Sequence, residues 1–68
     1  MVKLVLDKYL DERGITRYEL SKRTHIKFQT IDSYYKNRVV RYDSYILDCI
    51  SKALDCKIGD IIEYTEDK

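Results

Sequence analysis

The chain has 68 residues, room for one small domain, and a domain of this size buries only about 60% of the surface its unfolded form exposes. It has no proline and two glycines, Gly14 and Gly59, which favours helices over hairpins, and no apolar run nears the roughly 20 residues a membrane span needs. A net charge of +1 excludes a uniformly basic surface, while two cysteines and one histidine fit no zinc or redox spacing.

Val2, Val5, Leu6, Tyr9 and Leu10 recur at helical spacing and predict an amphipathic first helix, with Gly14 as its left-handed cap. The opening "MVKLVL" is too short for a secretory leader, and Asp7 interrupts it. A second helix is expected over about 17–24. Thr16 and Glu19 supply a T-x-x-E capping box, and Ile15 and Leu20 a hydrophobic staple. Leu20 is its core residue, Ser21 is small enough for a close helix approach, and Tyr18, Lys22 and Arg23 should be more exposed. After His25 and Ile26 comes a third helix, about 28–36, with Ile31 and Tyr34 on its inner face. Phe28, Gln29, Asp32 and Ser33 fall on another face, where a plain surface helix would carry Glu and Lys. Asn37 stands where a left-handed helix end is expected. Asp43 or Ser44 can cap a fourth helix to about Leu54, with Ile46, Leu47, Ile50, Ala53 and Leu54 inward and Cys49 reduced near the core. "CKIGDIIEY" predicts a short fifth helix, although Gly59 weakens it, and residues 65–68 should fray. The fold class is therefore all-α, one compact five-helix domain over 1–68 with a helix-turn-helix over about 16–36.

Charge is distributed unevenly. Between Thr16 and Tyr42 seven basic residues face two acidic ones, a local +5, while the flanks carry six against ten, or −4. Such a dipole turns the middle segment toward a polyanion. Nucleophile elbows, glycine-rich phosphate loops and acid/base pairs are missing from the sequence, so no enzyme, cofactor, metal or small-molecule ligand is expected.

"GITRYELSKRTHIKFQTIDSYYKN" resembles the phage repressor/Cro-type (XRE-like) helix-turn-helix domain. Gly14, Ile15, Thr16, Leu20, Ser21, Thr24, Ile26, Thr30, Ile31 and Tyr34 fall on that family's pattern, and "ALDCKIGDIIEY" is similar to its C-terminal end. Three positions depart from it. His25 stands at the turn glycine, at a strain cost on the order of 1 kcal/mol. Lys27 replaces the serine cap of the third helix, where it loses an acceptor and puts a cation at the positive helix end, unless a phosphate binds there. Asn37 replaces the final glycine.

The resemblance implies a lambda-repressor-like fold and a sequence-specific regulator of bacterial, phage or mobile-element origin. Its third helix would enter the major groove of double-stranded DNA. Gln29 would read adenine, Ser33 several bases, and Asp32 would either accept from cytosine or orient Lys36. Phe28 would press on thymine methyls or belong to the core, and Thr30 would touch phosphate or pack. Arg17, Lys27, Lys36, Asn37, Arg38 and Arg41 would contact the backbone, with hydroxyls of Tyr18, Tyr35 and Tyr42 as further donors. A homodimer on an inverted repeat is the family expectation, with Tyr45, Ile62 and Tyr64 as its surface. The expected setting is cytoplasmic, away from membranes. The alternative is a protein-binding module on the same fold, an antitoxin-like partner or an inhibitor of a nucleic-acid enzyme.

Overall fold

The computed structural model describes residues 1–66. Four α-helices follow a short strand: β1 (Val2–Leu4), α1 (Leu6–Arg13), α2 (Arg17–Thr24), α3 (Phe28–Tyr35) and α4 (Ser44–Leu54). A 3-10 turn (Ile58–Asp60) then leads into β2 (Ile62–Tyr64). The five-helix, all-α expectation is thus corrected at both ends. Val2 belongs to a strand, and the expected fifth helix divides into the turn and β2.

The physical reason is pairing between distant segments. β1 and β2 run antiparallel with Val2 opposite Tyr64, Lys3 opposite Glu63 and Leu4 opposite Ile62. β-Branched and aromatic residues suit such a ladder, and the Lys3 ammonium lies 3.6 Å from the Glu63 carboxylate. Of the tail expected to fray, Thr65 is tied by its backbone N–H to the Met1 carbonyl at 2.7 Å. Residues 67–68 of that expectation lie outside the described residues.

Three helices end in one manner. Gly14, Asn37 and Asp55 each take a left-handed conformation, at φ 67°, 57° and 52°. In each case the next residue's N–H bonds back to the last turn: Ile15 to Leu10 at 3.0 Å, Arg38 to Ser33 at 2.9 Å and Cys56 to Ser51 at 3.0 Å. This is the Schellman arrangement, which satisfies carbonyls the helix leaves open. At the other ends, the Thr16 hydroxyl accepts from the Glu19 N–H at 3.0 Å and Asp43 caps α4 by accepting from the Tyr45 N–H at 2.8 Å. The expected capping box is only half formed, because the Glu19 carboxylate pairs with Arg23 one turn on.

Leu4, Leu6, Leu10, Leu20, Ile31, Tyr34, Ile50 and Ile61 are buried together. Every α-helix and β1 contribute to this core, and burying one such aliphatic side chain is worth about 1.5–3 kcal/mol. Ile46, Leu47, Ala53 and Leu54 pack around it half-buried, and Cys49 is half-buried and reduced.

Candidate nucleic-acid interface

The corner between α2 and α3 is held by hydroxyls. His25 ends α2 at φ 60°, the left-handed conformation its position demands. The Ser21 hydroxyl donates to the Ile26 carbonyl at 2.6 Å, and the Ile26 N–H donates to Thr24 Oγ1 at 3.2 Å. Ser21 is therefore a bonded element of the turn as well as a small one. With Ile31 and Tyr34 buried, the inner face of α3 is committed to the core.

That commitment turns a different set of residues outward. Phe28 is 43% exposed and stands apart from the core cluster, so the core alternative for this ring does not hold. Gln29 is exposed, and Asp32 and Ser33 are half-buried. The Ser33 hydroxyl donates to the Gln29 carbonyl one turn back at 3.0 Å. Thr30 is half-buried. Lys27 is exposed at the start of α3 and makes no side-chain cap.

Asp32 is the electrostatic centre of this region. Its Oδ1 accepts a hydrogen bond from the Arg17 guanidinium, and its Oδ2 lies 3.2 Å from Lys36 Nζ. Partial burial pushes this carboxyl up, but the hydrogen bonds from Lys36 and Arg17, with their charges, outweigh burial and hold it below the ordinary carboxylate range. The Arg17 guanidinium also lies over the Tyr35 ring at 4.5 Å and 5.9 Å from the Phe28 ring. Tyr35 is fixed in turn, its hydroxyl donating to Asp11 at 2.9 Å. That hydrogen bond, followed by burial, raises the Tyr35 phenol above its usual value.

The other expected backbone contacts separate into two groups. Lys27, Arg38 and Arg41 are exposed and in no ion pair among the described residues, and the same holds for Lys22. Asn37 is occupied: its side-chain oxygen accepts from the Leu4 N–H at 3.0 Å and joins the end of α3 to β1. Tyr42 directs its hydroxyl to the Val2 carbonyl at 3.5 Å, whereas Tyr18 remains 61% exposed. Of the expected dimer surface, Tyr45 and Tyr64 are exposed, and Ile62 is half-buried opposite Leu4.

The sequence reading missed Tyr35 as the plate beneath Arg17, and Asn37 as the acceptor for β1. Both depend on contacts between elements. A weak signal existed for Arg17 and Asp32, since opposite charges on packed helices can meet, but spacing alone does not select that pair.

A family model described as Cro/C1-type HTH DNA-binding domain matches residues 5–67. No curated protein matches the chain significantly.

Proposed function

Because the chain belongs to the Cro/C1-type helix-turn-helix DNA-binding family, we propose that it is a sequence-specific, repressor-like regulator reading the major groove with α3. The observation that carries this reading is the outward face of α3. It presents an exposed Phe28 and Gln29, flanked in the chain by Lys27, Arg38 and Arg41, exposed cations that no carboxylate among the described residues neutralises. A Gln amide pairs bidentately with adenine, and an exposed aromatic ring suits a thymine methyl. Ser33 follows Gln29 by one turn and offers a hydroxyl to a neighbouring base.

Backbone contacts fall to Lys27, Lys36, Arg38 and Arg41, with Arg17, Thr30 and the Asn37 amide nitrogen at the margins. Lys27 beside the free amides that open α3 makes a phosphate site and offsets the missing cap. In this reading the protein acts in the cytoplasm as a homodimer on an inverted repeat, with half-sites about one helical turn apart. The exposed Tyr45 and Tyr64, with Ile62, form the contact between copies.

A second reading, a protein-binding module on the same fold, is favoured by two observations. Tyr18 and Phe28 are exposed aromatics, and Arg17 and Lys36 are already paired with Asp32. Selection of bound fragments from random and genomic DNA pools, at low and moderate salt, tests between the two. An enriched inverted repeat whose affinity falls steeply with salt supports the regulator. Absence of binding in both salts overturns it in favour of the protein partner.

A further inference from the structure

Two cations that the DNA reading assigns to phosphates are already engaged by a carboxylate of the same surface. Asp32 holds Arg17 through one oxygen and Lys36, at 3.2 Å, through the other. The guanidinium is also stacked on Tyr35 at 4.5 Å, so it is presented in a fixed position. Asp32 lies one turn beyond Phe28 and Gln29 on α3, beside the residues proposed to meet base edges.

From this arrangement we propose that Asp32 is a specificity gate, coupling phosphate engagement by Arg17 and Lys36 to recognition of a cytosine amino group. The proposal rests on the DNA reading above. A DNA phosphate competes with Asp32 for both cations. When it wins, the carboxylate is released beside the bases. An ionised carboxylate only accepts hydrogen bonds. Facing the N4 amino group of cytosine it is satisfied; facing guanine or thymine acceptors it is desolvated against like partial charge. The exchange therefore completes best on cytosine, whose amino group has no acceptor beside it on that edge; adenine, with N7 beside its N6 amino group, completes it less well, and at guanine or thymine Arg17 and Lys36 stay bound to Asp32.

The test compares the parent with Asp32→Asn on the duplex recovered by selection and on a scrambled duplex, each over a salt series. Asp32→Ser is the second variant, so that a folding defect in one does not decide the matter. The gate predicts that both variants gain affinity for the scrambled duplex and that the specificity ratio falls about tenfold or more, the scale of one lost base discrimination. Their salt slope on that duplex steepens by about 0.9 for each cation released. Arg17→Ala erases part of this gain in the Asp32→Asn background and barely changes scrambled binding by the parent. Unchanged ratio and slope in a folded variant that binds DNA overturn the gate alone. Failure of the parent to bind any DNA removes the regulator reading, and the gate with it.

Discussion

At the scale of single residues, the two positions where another residue replaces the family's glycine behave differently. His25 is exposed and takes φ 60° only because the corner requires it. A side chain there carries a steric cost that glycine lacks. His25→Gly should raise stability by up to about 1 kcal/mol, read as a higher urea midpoint; a lower midpoint would refute this account of the turn. Asn37 also has a positive φ, 57°, but its side chain holds the Leu4 N–H. Asn37→Gly should therefore lower stability by about 1 kcal/mol, the net worth of one hydrogen bond, and a higher midpoint would show that this bond contributes nothing. Both left-handed conformations were legible in the sequence, since each residue sits where a helix must stop. The bond from Asn37 to β1 was not, because it joins positions 33 residues apart. The charge at Asp32 makes a further prediction. Its carboxyl is held below the ordinary value, so its ion pairs stabilise the fold above the ordinary carboxylate pKa of about 4. That contribution is lost as pH falls through the depressed value. The gap in urea midpoint between the parent and Asp32→Asn should be widest near neutrality and close on acidification. A gap independent of pH would mean that the ion pairs contribute no net stability.

At the scale of elements, periodicity located α2, α3 and α4 because each has an inner stripe and a local start or stop signal. The bounds of α2 agree with expectation, and α3 ends one residue sooner, at Tyr35. The terminal segments were misread for a common reason. "VKL" and "IEY" are each compatible with a helix locally, and what makes them strands is the other strand across the length of the chain. Hydrogen bonding between them, with Leu4 and Ile61 buried nearby, overrides the helical spacing of Val2 and Val5. The outward face of α3 was legible in composition, since Phe, Gln and Ser are unusual on a plain solvated helix. Gln29→Ala should cost about 1–3 kcal/mol on the selected duplex and relax preference at one base pair. Binding to single-base variants of the site checks this, and uniform weakening across all variants would assign Gln29 to the DNA backbone.

At the scale of the whole molecule, a net charge near neutral conceals a cationic segment carried by the helix-turn-helix and the connector that follows it. Within that segment Ile31 and Tyr34 turn to the core, while Lys22, Lys27, Arg38 and Arg41 stay exposed. Much of this polarity was visible in the sequence; its partial cancellation by Asp32 depended on how α2 meets α3. The central claim is that α3 and the start of α2 form the DNA-contacting surface. The most direct measurement is an NMR titration of the isotope-labelled protein with the selected duplex, following each backbone amide. The account predicts that the largest shifts cluster at Arg17 and from Lys27 to Arg41, and weaken as salt is raised. Shifts centred on α4 and β2, with α3 unmoved, would contradict it.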